Sequence, residues 1–191
     1  TLAEKALQWE SHPISIPDNE HATPEYQAIH PDGLVPAFVH DGVLMIESKD
    51  IIQYLETAFP APPFTPEGAD GQRLLQKWID DADTGQSDLK FLSHEYLFHP
   101  SKKMTPEDVA AFAASHRNEA LVEFIREWQS TEMFDSARIA AAVDRTHGYF
   151  MELDDALGLG GPWIMGAQFT LAEAAWMPNV HRMWLMDWPL E

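Results

Sequence analysis

Ile29-His30-Pro31-Asp32-Gly33-Leu34-Val35-Pro36, followed eleven residues later by Glu47-Ser48, is the stretch whose reading decides the architecture. Pro31-Asp32-Gly33 halts any helix that precedes it. Just upstream, Thr23-Pro24-Glu25 supplies an N-cap, a proline at the first helical position and an acid in the first turn, which predicts a short helix from Thr23 to about Ile29. Downstream, Val35 to His40 and Val43 to Ile46 are β-rich runs split by Asp41-Gly42, a pair suited to the positive φ angles of a two-residue hairpin turn. Ser48 then caps a helix whose apolar face is Ile51, Ile52, Leu55 and Phe59.

Working outward, Trp9 to Ile16 places β-favouring Ile14 and Ile16 on alternate positions, with Pro13 suggesting an edge strand, and Pro17 to Glu20 is a polar loop. Thr1-Leu2-Ala3-Glu4-Lys5-Ala6-Leu7 reads as the second half of an amphipathic helix. The predicted order is therefore helix, strand, helix, strand, strand, helix. From Pro60 to Pro66, four prolines in seven residues mark a linker, and strand signals nearly vanish beyond it. Leu74, Leu75, Trp78, Ile79 and Ala82 mark one helix. Thr105-Pro106-Glu107-Asp108 opens another, with Val109, Phe112, Leu121, Phe124, Ile125 and Trp128 at helical spacing. Ile139, Val143, Thr146, Phe150, Leu153 and Leu157 form a bundle seam that ends in Gly158, Gly160 and Gly161-Pro162. Thr170-Leu171-Ala172-Glu173 is a capping box for the last helix. The expected domains are an α/β unit over 1–59, a linker over 60–70 and an all-helical unit over 71–191.

Composition narrows the function. The chain has 191 residues, enough for one large or two small cores without staples, and its seven Trp argue against disorder. A net charge of −19 with only 12 scattered Lys and Arg argues against nucleic acid, whose phosphates demand clustered cations. Screening beyond about 8 Å at physiological salt leaves local groups free to hold an anionic ligand. No window is apolar for long enough to span a membrane. With no Cys, the chain holds neither a disulfide nor a thiolate metal site nor a cysteine nucleophile. Cytoplasm is the expected compartment. The helix-like start without Met and the end directly after an apolar stretch suggest that both ends are trimmed.

Either short run alone has an ordinary explanation. Val35-Pro36 is most often a strand start after a turn, though in a thioredoxin-like fold such a proline is commonly cis and the preceding residue offers a backbone edge to a peptide ligand. Ser48 alone is a cap and Glu47 alone a solvated acid. Together, a helix N-terminus able to hold a carboxylate and an adjacent acid able to hold an ammonium fit the zwitterionic head of an α-amino acid. His94 and His99 lie five residues apart, not at the spacing that puts two His on one helical face, so no metal is expected. Asp80, Asp81 and Asp83 read as a solvated acidic face, and the Trp residues mostly as core.

His30 to Pro36, Glu47-Ser48 and Ile51-Ile52-Gln53-Tyr54-Leu55 together resemble the glutathione-binding site of cytosolic glutathione S-transferases, while the Ala3-Glu4-Lys5 start, the acidic loop between Ile16 and Thr23 and the Phe59-Pro60 helix end look most like bacterial members near the β-etherase and dehalogenase branches. Gly166-Ala167-Gln168-Phe169-Thr170-Leu171-Ala172-Glu173 resembles that family's helix-capping motif, with Glu173 where Asp is usual. The resemblance implies a thioredoxin-like domain followed by an all-α bundle. It implies that Val35, before Pro36, pairs with the cysteinyl backbone of glutathione and that Glu47 and Ser48 hold the γ-glutamyl end. Lys49 either assists that carboxylate or is a solvated lysine. Asp32 and Gly33 stand where some classes carry a basic residue for the glycyl carboxylate, and His40 is a weak substitute.

The family activates the glutathione thiol with a Tyr, Ser or Cys near the start of the first helix, a residue expected upstream of Thr1. The implied reaction is attack of the thiolate on a small apolar electrophile, by conjugation, ether cleavage or dehalogenation. The electrophile pocket would lie between the halves, with Trp78 or Tyr96 among its aromatic walls. The implied assembly is a homodimer. The alternative is a non-catalytic protein of the same fold serving as a binding or scaffold module, and a thiol-disulfide oxidoreductase would need an upstream Cys.

Overall fold

A computed structural model describes residues 1–99 and 104–188. In chain order these form α1 (Pro24–Gln27), β1 (Phe38–His40), β2 (Val43–Met45), α2 (Ser48–Ala58), α3 (Ala69–Leu92), α4 (Pro106–Ser115), α5 (Glu119–Ser130), α6 (Ser136–Gly158) and α7 (Leu171–Leu185). A 3-10 turn at Glu20–Ala22 precedes α1, and a π-helical turn at Ser93–Phe98 continues α3. The residues divide into two compact units: Thr1–Gln8 with Ile52–Ser101 and Asp135–Glu191, and Trp9–Ile51 with Lys102–Phe134.

In the first unit α3, α6 and α7 pack around Leu75, Trp78, Ile79, Ala82, Leu153, Leu171, Ala172 and Trp176. These positions recur every three or four residues, so each helix turns one apolar stripe inward. The Trp176 indole donates to the Trp78 carbonyl at 2.9 Å, which satisfies its one polar atom inside the core. The predicted box at the start of α7 is formed: the Thr170 side chain accepts from the backbone while the Glu173 carboxylate takes the Thr170 amide at 2.7 Å. Glu173 also accepts from the Ile164 amide at 2.7 Å, so the longer acid ties the approaching loop to the helix.

The proline-rich segment is more than a tether. Phe64 sits in this core, and its carbonyl accepts from the Leu171 amide at 3.0 Å. The cause is Lys5, whose side chain is fully shielded and whose ammonium meets Glu56 at 2.7 Å, the carbonyls of Phe59 and Pro62 at 2.7 and 2.8 Å, and the face of Phe64 at 4.4 Å. The other Glu56 oxygen accepts from the amides of Phe64 and Thr65 at 2.8 and 3.0 Å. A charge taken out of water is tolerable when it is paired and hydrogen-bonded, and Lys5 meets a carboxylate while donating to two carbonyls.

The second unit carries the hairpin. Thr23 caps α1 as expected, accepting from the Tyr26 amide at 3.3 Å. β1 and β2 pair antiparallel, Phe38 with Met45, Val39 with Leu44 and His40 with Val43, across Asp41 and Gly42 at φ of 49° and 78°. Ala22, Phe112, Leu121 and Val122 form this unit's core.

Three expectations change. Thr1 to Leu7 makes a single helical turn, with the Lys5 amide on the Thr1 carbonyl at 3.0 Å, and stops where Ala6 takes φ 51°. Trp9 to Ile16 is no strand, because no described segment pairs with it. The helix predicted from Thr105 through Trp128 breaks at His116, whose extended backbone separates α4 from α5, and Asn118 restarts the helix by accepting from the Leu121 amide at 2.9 Å. Apolar periodicity crosses this break because two consecutive helices can keep one inward face.

Replacing Lys5 by Met leaves Glu56 without its ammonium partner. Urea unfolding is expected to show a loss of about 3 kcal/mol, only part of it recovered when Glu56 is also made Leu, because the backbone groups that the pair serves still lack partners. Stability unchanged in the single variant would show that the buried pair does not hold the segment.

Candidate functional site

The residues singled out for ligand binding all belong to the second unit. Val35 is half exposed and joined to Pro36 by a cis peptide bond. Glu47 and Ser48 are exposed at the start of α2, where the Glu47 carbonyl accepts the first helical bond, from Ile51 at 2.9 Å. Ser48 is thus the first helical residue and Glu47 the capping position, one residue earlier than predicted, which is within the ordinary spread of helix ends. The amides of the first turn point out of the helix beside the Glu47 carboxylate.

The hairpin brings the two runs to one place. Pro36 lies two residues before Phe38 and Glu47 two residues after Met45, so both runs leave the open end of the hairpin. Paired strands lie roughly 5 Å apart. A backbone edge, an acid and a helix N-terminus therefore share one end of the hairpin. Lys49 follows in the first turn of α2, and Asp50 adds an acid there. His40 sits at the far end, near the turn, where its ring stacks on Phe38 at 6.5 Å.

The approach to Val35 is held from behind by side chains that sequence reasoning did not single out. Gly33 takes φ +56°, and its amide closes a turn on the His30 carbonyl at 2.9 Å. A Cβ there would stand 2.6 Å from His116 Nε2 and 2.8 Å from the His21 carbonyl. Glycine is required on both counts. His21 and His116 face each other with ring centroids 5.6 Å apart, and Phe112 stacks on His116 at 4.9 Å. Burial, with His116 beside it, holds the His21 imidazole below its ordinary range, so it is neutral at pH 7. Asn118 donates its amide to His116 Nδ1 at 3.1 Å.

Gln27, 2% exposed, donates to the carbonyls of Ala22 and Ser115 at 2.6 and 2.7 Å and accepts from the Arg117 amide at 3.0 Å. These bonds join α1 to the α4–α5 break. No local pattern could have revealed Gln27 or His116, because the partners lie 88 and 90 residues away for Gln27. The buried Tyr26 hydroxyl donates to the Leu34 carbonyl at 2.7 Å, and burial pushes its phenol up, so it stays a protonated donor.

The aromatic residues considered for a second substrate separate. Trp78 is core, edge-on to Trp176 at 6.2 Å, whereas Tyr96 is exposed on the π-helical turn. On that same turn burial, chiefly, brings the His94 imidazole down to about 4, and its Nδ1 meets the Lys90 carbonyl at 2.8 Å. Among the described residues no three His, Asp or Glu side chains gather as a metal site, and no helix is long and apolar enough to cross a membrane.

A two-stranded hairpin followed by a helix, then a mainly helical remainder, is the arrangement of the glutathione S-transferase fold. Residues 1–63 match the family model for the glutathione S-transferase N-terminal domain and residues 136–191 that for the C-terminal domain, so the chain belongs to the glutathione S-transferase family. Maleylacetoacetate isomerase of Pseudomonas aeruginosa is 44% identical over 64 residues, 32% of this chain and 30% of that protein. Protein LigF of Sphingobium is 35% identical over 86 residues, 42% of this chain and 34% of that protein. The chain thus spans about a third of these relatives' length. The crystal structure of LigF, a beta-etherase, superposes with a TM-score of 0.80 at 20% identity over 91% of this chain and 72% of that one.

Gly33→Ala introduces both an unfavourable left-handed φ and a contact with the His116 ring. It should cost about 2 kcal/mol or more in urea unfolding, and a variant as stable as the parent would contradict the close packing behind Val35.

Proposed function

We propose that the chain binds glutathione at the Val35 end of the hairpin and works as a glutathione transferase. The observation that carries this reading is the hairpin, whose open end brings together the chain segments that carry Val35-Pro36 and Glu47-Ser48. In this arrangement the Val35 backbone pairs with the cysteinyl unit as an added strand would. The Glu47 carboxylate holds the γ-glutamyl ammonium, and the Ser48 hydroxyl with the first-turn amides of α2 holds its carboxylate. Lys49 can add a positive charge to that end.

The reacting species is the glutathione thiolate, which attacks an electrophilic carbon of a small apolar substrate, forming a C–S bond either as a leaving group departs with the bonding pair or, in addition, as the π pair of a double bond shifts to the neighbouring atom and is protonated. A free thiol near pKa 8.5 is mostly protonated at neutral pH, so a hydrogen-bond donor must lie close to the sulfur. We place that residue upstream of Thr1. The likeness to a maleylacetoacetate isomerase and a beta-etherase supports addition and ether cleavage as the reaction classes to examine first. Assembly as a homodimer in the cytoplasm is part of the same proposal.

Titration calorimetry with reduced glutathione tests the ligand, and an aryl halide assay on the chain extended upstream tests the chemistry. Binding is expected, with Glu47→Gln and Ser48→Ala each weakening it roughly tenfold through loss of a charge-assisted hydrogen bond. Binding without turnover would favour a non-catalytic member of the fold, and no binding would end both readings.

A further inference from the structure

Pinning one end of a peptide group fixes the other. The unit is planar and, between Leu34 and Val35, trans, so its carbonyl and its N–H point in opposite directions. The Leu34 carbonyl accepts from the Tyr26 hydroxyl at 2.7 Å. Tyr26 therefore sets the direction in which the Val35 N–H is presented, although its own ring, 7% exposed, lies behind the loop.

The ring is itself fixed. It stacks on His30 with centroids 6.5 Å apart and planes 23° from parallel, and His30 is 1% exposed. The next residue, Gln27, anchors the same helical turn to the α4–α5 break through its side-chain amide, whose nitrogen donates to the Ser115 carbonyl and whose oxygen accepts from the Arg117 amide. Consecutive residues of α1 thus reach in two directions: Gln27 to a distant segment of the chain, Tyr26 to the peptide that precedes the exposed Val35. Gly33, closed against His116, removes the remaining freedom between His30 and Leu34.

We propose that Tyr26 is a positioning residue for ligand binding, its hydroxyl holding the Leu34–Val35 peptide in the orientation that presents the Val35 N–H to the backbone of a peptide-like ligand. This rests on the glutathione reading above for the ligand's identity, but not for the peptide's orientation. Tyr26 touches neither ligand nor reacting sulfur, and its contribution is preorganisation: a loop that need not be ordered on binding gives tighter association.

Tyr26→Phe tests this, since the ring and its stacking on His30 remain and only the hydroxyl is lost. In calorimetry the variant should bind reduced glutathione five- to tenfold more weakly than the parent, roughly the worth of one hydrogen bond. In the chain extended upstream the KM for glutathione should rise by the same factor while kcat at saturating glutathione stays within twofold. The amide resonance of Val35 in ligand-free protein should shift, and its hydrogen exchange should quicken severalfold, with the amides of α3 and α7 unchanged.

Binding within twofold of the parent together with an unmoved Val35 amide would overturn the proposal. Equal loss of kcat, or quickened exchange throughout the chain, would also overturn it, showing a general structural role. If the parent does not bind glutathione but the Val35 amide responds to Tyr26→Phe, the ligand reading fails and the positioning of the peptide stands. If the amide does not respond either, both fail.

Discussion

Three residue pairs across Asp41-Gly42 set a register on which the rest of the candidate site depends. A strand pairing slipped by one residue would turn every side chain to the other face and separate Val35-Pro36 from Glu47-Ser48. The turn prevents this. Its two central residues both take positive φ, so the loop has a fixed length and the strands leave it in one alignment. A hairpin this short lacks the pairing to be stable alone. Its support comes from the elements around it: α1 behind the loop, the α4–α5 break against Gly33, and α2 growing directly from the end of β2.

The other compact unit solves a different problem, that of holding a proline-rich segment in place without regular structure. Prolines lack the N–H that a helix or ladder would use. Lys5 supplies donors to the carbonyls that would otherwise lack partners, and Glu56 supplies acceptors to the amides that remain. The charges neutralise each other, and Phe64 is left to fill the core beside Leu171 and Trp78. Such a cluster is stabilising as a set and costly when halved. An aliphatic pair of similar volume would serve the packing while leaving the backbone groups of Phe59, Pro62, Phe64 and Thr65 short of partners.

Much of this was legible in the sequence because local chemistry decides it. The Thr23, Thr105 and Thr170 caps, the Asp41-Gly42 turn and the apolar stripes of α3 and α6 each depend on residues within a few positions of one another. The runs Val35-Pro36 and Glu47-Ser48 were legible as a pair because the hairpin between them was. What could not be read was long-range. The strand signal of Ile14 and Ile16 lacks a partner among the described residues to become a ladder, and the break at His116 is held on both sides by Gln27, 88 and 90 residues away in sequence. Phe64 looks like a linker residue until Lys5 and Glu56 are placed beside it. Tyr26 looks like a helix aromatic until its hydroxyl is seen on the carbonyl before Val35.

Family membership carries the general expectation of glutathione chemistry, and we propose the Val35 end of the hairpin as its location in this chain. The most direct measurement is a crystal structure of the protein grown with reduced glutathione. The account predicts that the cysteinyl backbone lies along Val35 as an added strand, with the γ-glutamyl ammonium on Glu47 and its carboxylate at the Ser48 end of α2. Glutathione bound elsewhere on the chain, or in a pose that leaves both Val35 and Glu47 uncontacted, would contradict it.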